Sequence, residues 1–127
     1  MTIAAVVAAC LLGLIAVFQL ALALGMPARR MAWGGQYEGK LPTGLRVTSA
    51  VAGLVLYPLA ILLVLEAGGV TDFDLVPDVG PVGMWVFAGL FAFGALLNLV
   101  SRSKAERVWA PVSMGIAICC GIVAAGL

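Results

Sequence analysis

Histidine is absent from the 127-residue chain, and charge is scarce: seven basic and six acidic residues make up 10% of it, against roughly 25% in soluble domains. Without imidazole there is no histidine general acid or base, no His-ligated haem and no His-containing zinc site. Cysteine is limited to Cys10, Cys119 and Cys120. These have neither CxxC spacing nor a loop location, so they imply no disulfide framework, zinc knuckle or thioredoxin-like motif. A net charge of +1 leaves no electrostatic footprint for nucleic acid. What the chain has instead is apolar mass, 64% of its residues where about 45–50% is usual. A domain this small cannot hide that surface from water, so its solvent is lipid. The partner classes left are lipids, other membrane helices and small solutes.

Runs of about 18 or more apolar residues mark membrane helices. Four occur, Ile3 to Gly25, Leu45 to Ala67, Val82 to Val100 and Pro111 to Leu127. The expected fold class is an all-α membrane protein, a four-transmembrane-helix bundle forming one domain over residues 1–127. The last run is short for a bilayer, and Ser103-Lys104-Ala105-Glu106 before it has the capping-box form. The fourth helix is therefore expected over 104–127, with a kink near Pro111. The first segment lacks a basic n-region and its apolar run is too long for a signal peptide, so it is expected to stay in the mature protein.

Basic residues fix an expected orientation. Arg29, Arg30, Lys40 and Arg46 follow the first helix, Arg102, Lys104 and Arg107 follow the third, and none follows the second. Loops one and three are thus expected in the cytoplasm and both termini outside. The acidic residues agree, since Glu66, Asp72, Asp74 and Asp78 cluster around loop two, leaving only Glu38 and Glu106 on the inner side.

Given that orientation, every polar residue in a span has a depth. Gln19, Thr48, Ser49, Asn98 and Ser113 all fall in the third of their helices nearest the basic loops. The opposite half of each helix is apolar, apart from Tyr57 near the midplane and Glu66 at the outer rim. One reading is a cytoplasm-facing vestibule in which Gln19, Thr48, Ser49 and Asn98 line a pocket roofed by Arg46 and Arg102, suited to an anionic lipid headgroup. The other is that these side chains join helices by ordinary hydrogen bonds and the arginines snorkel to the interface. No carboxylate lies near the midplane. Small multidrug resistance exporters depend on a membrane-embedded glutamate in their first helix, and this first helix has only Gln19, which argues against that class.

Tyr57-Pro58 at the centre of the second helix frees the carbonyl of Leu54 and predicts a kink, either a hinge or a static packing feature. Small residues recur at four-residue spacing, as in Ala5, Ala9 and Gly13, or Ala88 and Ala92, or Ala117, Gly121 and Ala125. Such spacing lets backbones approach closely, within the bundle or in a homo-oligomer or a complex with another membrane protein. Cys119 and Cys120 form a vicinal pair like that of mercuric-ion transport proteins, but without outer cysteines they are expected to act as small hydrophobes. Loop two lacks the glycine and distal glutamate of an EF-hand and is expected to be solvated. The long inner loop, 26–44, carries Trp33 and Tyr37 beside Arg29 and Arg30 and is expected to lie as an interfacial flap on anionic lipid.

The strings Trp33-Gly34-Gly35, Leu41-Pro42 and Leu45-Arg46, then Asn98, Ser101-Arg102-Ser103, Glu106-Arg107, Trp109 and Pro111, together resemble a group of small four-span bacterial membrane proteins. The resemblance covers loops one and three with the adjoining helix ends, implies a bacterial cytoplasmic membrane, and brings no activity with it. Cofactors and metals are not implied. The expected function is a non-enzymatic, oligomeric membrane protein that binds or moves a lipid or small solute through the inner vestibule. An assembly subunit of a larger membrane complex is the alternative, and a lipid-modifying enzyme would have to use Glu38 or Glu106.

Overall fold

The computed structural model describes residues 1–72 and 76–127, and within them there is helix and no strand. Four helices have the length and hydropathy to span a membrane: α1 Thr2–Ala23, α2 Thr43–Ala67, α3 Gly80–Leu99 and α4 Glu106–Ala125. Phe73 and Asp74 of the acidic loop lie outside the described residues.

α1 is the central element. It packs on α2 along one side and on α4 along the other, α4 packs closely on α3, and α2 and α3 barely touch. The shared core contains Ala5, Ala8, Leu12, Val64, Met84, Ile116 and Cys120. Small residues bring the backbones together, and Ala5, Ala88 and Ala117 of the four-residue series are buried inside the bundle. A Cβ at Gly68 would overlap that of Ala5, and one at Gly53 would meet Leu20 Cγ at 2.8 Å and the Ala16 carbonyl oxygen at 3.1 Å. Cys119 is half-buried and Cys10 exposed, and among the described residues no group of three or more metal-ligating side chains comes together.

α2 is not a uniform α-helix. It is α-helical over Thr43–Val51, widens into a π turn at Ala52–Leu56 and is α-helical again over Tyr57–Ala67. Sequence reading places the irregularity at Tyr57-Pro58; the structure sets it one turn earlier. Proline lacks an N–H and its ring crowds the carbonyl four residues back, and a widened turn absorbs both faults. The Tyr57 N–H accordingly reaches the carbonyl of Ala52.

The helix ends explain the loops. α1 closes with a Schellman motif, in which Met26 N–H donates to the Ala21 carbonyl (3.0 Å) and Gly25 N–H to that of Leu22 (3.1 Å), with Gly25 at φ 98°. Arg46 then donates from Nε (3.2 Å) and Nη2 (3.1 Å) to the Ala23 carbonyl, placing a cation at the negative end of the helix dipole. At the start of α4, Ser103 Oγ accepts the Glu106 N–H at 3.3 Å. The other half of the capping box is indirect: the Glu106 carboxylate accepts from Ser101 Oγ (3.2 Å), which accepts the Ser103 N–H (3.2 Å). That helix begins at Glu106 instead of Lys104, and Pro111 sits in its first α-helical turn, where a missing N–H costs little.

Loops one and three share one end of the bundle, joined by a 2.6 Å hydrogen bond from Ser103 Oγ to the Arg30 carbonyl. At the other end Thr2 Oγ1 donates to the Gly68 carbonyl at 3.4 Å, so the N-terminus lies beside loop two. All seven basic residues belong to the first end, or to the helix turns next to it.

Candidate functional site

At the basic end the four helices leave a partly open cavity of about 210 Å³, and loop one covers one side of it. Its walls are Ile15, Phe18 and Gln19 from α1, Tyr57 from α2, Asn98 from α3, and Glu106, Trp109 and Ser113 from α4; Met31, Ala32 and Trp33 form the cover. At a bulk share of about 30 Å³ per water, 210 Å³ is room for a small molecule or a lipid headgroup.

The six residues expected to form one vestibule separate into two groups. Gln19 and Asn98 both line the cavity. Arg46 is held at the end of α1, as described. Thr48 is exposed and turns its hydroxyl to the Gly44 carbonyl of its own helix (3.0 Å). Ser49 is buried away from the cavity walls, its Oγ without a partner among the described residues. Arg102 is exposed and does not line the cavity. No arginine therefore roofs the pocket. Depth places Gln19, Thr48, Ser49 and Asn98 at one level, but rotation about the axis of α2 takes Thr48 and Ser49 off the cavity walls, and neither Arg46 nor Arg102 lines it.

The cover is a folded element. Backbone N–H groups of Ala28, Arg29 and Arg30 donate to the carbonyls of Gly39, Glu38 and Tyr37 at 2.9, 2.8 and 2.8 Å, drawing the two arms of the loop together. Leu22, Ala28 and Leu41 are buried beneath it, with Tyr37, Leu45 and Phe18 packed around them. The turn needs Arg29, Arg30 and Trp33 at φ 52°, 60° and 55°, in the left-handed region that non-glycine residues seldom occupy. Arg29 and Arg30 project outward, and Arg30 forms a long 3.8 Å pair with Glu38. Tyr37, expected at the lipid surface, packs inside the loop.

Side-chain hydrogen bonds at this end run through Arg46, Thr48, Ser101, Ser103, Glu106 and Arg107. Among the described residues none engages the amides of Gln19 and Asn98. The Trp109 indole N–H is buried without an acceptor, while its ring lies 4.7 Å from that of Phe18. Depth reasoning missed Phe18, Glu106 and Trp109 as walls. Glu106 is legible as a helix cap and Trp109 as an interfacial aromatic, and neither signal reveals that both also turn inward.

A second, apolar cleft of about 390 Å³ opens between α2 and α3, between Leu56, Leu59 and Leu63 on one side and Phe87, Leu90 and Phe91 on the other. Tyr57 lines both this cleft and the polar cavity.

No known protein family, curated protein or solved structure matches this chain.

Proposed function

We propose that this chain is a non-enzymatic integral protein of the bacterial cytoplasmic membrane that binds, or passes on, a lipid or small solute held in the covered cavity at its basic end. The observation that carries this reading is the convergence of Gln19, Tyr57, Asn98 and Ser113, one from each helix, on a single covered space. Polar side chains inside a bilayer are costly unless they meet a partner. Here the amides of Gln19 and Asn98 line the space without a hydrogen-bond partner among the described residues, which suits a polar occupant better than a filled bundle. The excess of Lys and Arg at the same end favours a cytoplasmic location for it.

The occupant is sought by native mass spectrometry of protein released gently from membranes. The wild type is expected to retain a molecule of defined mass, and a Gln19→Leu/Asn98→Leu variant, close in shape but without either amide, to lose it. Equal retention by both would count against the cavity as the site. Orientation is checked independently. Cysteine introduced at Asp72 is expected to react with an impermeant maleimide on intact cells, and cysteine at Lys104 only after permeabilisation. The reverse pattern would invert the assignment.

A further inference from the structure

The charge and shape of the cavity narrow its ligand class beyond the reading above, on which this step rests. Four aromatic side chains, Phe18, Trp33, Tyr57 and Trp109, share the walls with one carboxylate, Glu106, and no lysine or arginine lines them. Among the described residues the only ion pair is Arg30 with Glu38, so Glu106 has no cationic partner; a serine hydroxyl alone donates to it. None of the basic residues around it lines the cavity. Arg46 binds the end of α1, Arg107 donates to the Ser101 carbonyl at 2.7 Å, and Arg29, Arg30, Lys40, Arg102 and Lys104 are exposed. An unpaired carboxylate among aromatic faces is the environment that attracts an organic cation, especially an alkylated ammonium, whose charge is diffuse and weakly hydrated. An anionic headgroup would meet Glu106 with no counter-charge in the walls.

Tyr57 links this cavity to a second space. Its ring borders both the polar cavity and the apolar cleft between α2 and α3, so the two spaces meet at one side chain. The cleft lies where two helices scarcely touch, and its apolar lining suits a hydrocarbon chain. We propose that cavity and cleft form one site for an amphiphilic organic cation, with its ammonium head against Glu106 and the aromatic walls and its chain between α2 and α3.

The test uses full-length protein in neutral maltoside micelles, in a Trp85→Phe background that leaves the two cavity tryptophans, Trp33 and Trp109, as emitters. Hexyltrimethylammonium is expected to change their emission saturably, at concentrations at least about tenfold below those needed for hexanesulfonate or for tetramethylammonium. Glu106→Gln and Trp33→Leu should each weaken it by a similar factor, and Trp33→Phe, which keeps an aromatic face on the cover, should restore most of the loss. Ala60→Phe, which fills the cleft, should erase the advantage of the hexyl chain while tetramethylammonium still binds. Displacement of the probe by lysophosphatidylcholine would identify a lipid ammonium as the natural head, and failure to displace it a free lipophilic cation. Hexanesulfonate binding as tightly as the ammonium, or ammonium binding untouched in folded Glu106→Gln and Trp33→Leu proteins, overturns the proposal. Retention of a defined anionic or neutral molecule in the mass spectrum, with no ammonium binding, would remove this inference and leave the cavity reading in place.

Discussion

Gly68→Ala is expected to destabilise the bundle by about 1–3 kcal/mol, the usual cost of forcing one more carbon into a packed core. The added methyl would overlap the Cβ of Ala5, which is fully buried and has no rotamer through which to escape. Relief requires the whole start of α1 to move away from the end of α2. That shift would also strain the hydrogen bond from Thr2 Oγ1 to the Gly68 carbonyl, already 3.4 Å long. Backbone preference does not oppose the change, since Gly68 has φ −81° and ψ 0°, so the whole effect belongs to packing. Gly89→Ala is the control, because a Cβ there meets nothing within 4 Å. Unfolding in mixed micelles, followed by helical circular dichroism as denaturing detergent is added, should separate the two variants. If they unfold together, the close approach of α1 and α2 at Gly68 is not what stabilises this end.

The second large effect falls on the cover of the cavity. At Gly35 a side chain meets two obstacles at once: the backbone sits at φ 81°, and a Cβ would lie 2.5 Å from Ser103 Cβ and 3.0 Å from its Oγ. Gly35→Ala therefore adds a left-handed backbone penalty of about 1 kcal/mol to an overpacking cost of about 1–3 kcal/mol. The simplest relief is for loop one to lift from Ser103, breaking the 2.6 Å bond to the Arg30 carbonyl. Global stability should change little, because the main core lies between the helices. Local opening should become at least about tenfold more frequent, since each 1.4 kcal/mol is a factor of ten. Amide exchange at Ala28, Arg29 and Arg30, whose N–H groups hold the loop's arms together, reads this directly. Exchange at those three amides unchanged from wild type would mean that loop one does not depend on Ser103 for its seat.

What the sequence reveals about this molecule is axial. Unbroken apolar runs locate the four helices, and the polar residues within them give depth, which is why Gln19 and Asn98 can be assigned to the same level. Rotation about each helix axis is another matter. In water an apolar stripe distinguishes the core face from the solvent face, but here lipid and core are equally apolar, and α1, α3 and α4 carry no clear polar stripe. Nothing in the spacing of Thr48 or Arg46 says that one faces outward and the other caps α1. Tyr57 reads as part of a proline kink, and its place in the cavity wall, one residue beyond a π turn at Ala52–Leu56, is not legible from its position in the chain. The cover is hidden for a different reason. Its turn relies on left-handed Arg29, Arg30 and Trp33, residue types that carry no such signal, and on a hydroxyl 73 positions away. The capping box at Ser103 and Glu106 is local, and local chemistry of that kind is readable in advance.

The weak contact between α2 and α3 has a further consequence. The four helices form a curved row in the order α2, α1, α4, α3, not a closed ring, and the gap between the two ends of the row is lined by Leu56, Leu63, Phe87 and Leu90. Each outer helix has a single closely packed neighbour, so the spacing of α2 and α3 depends on α1 and α4 and on what fills the cleft between them. An occupant of that cleft would set how far apart the outer helices stand, as a fifth helix would in a self-contained bundle.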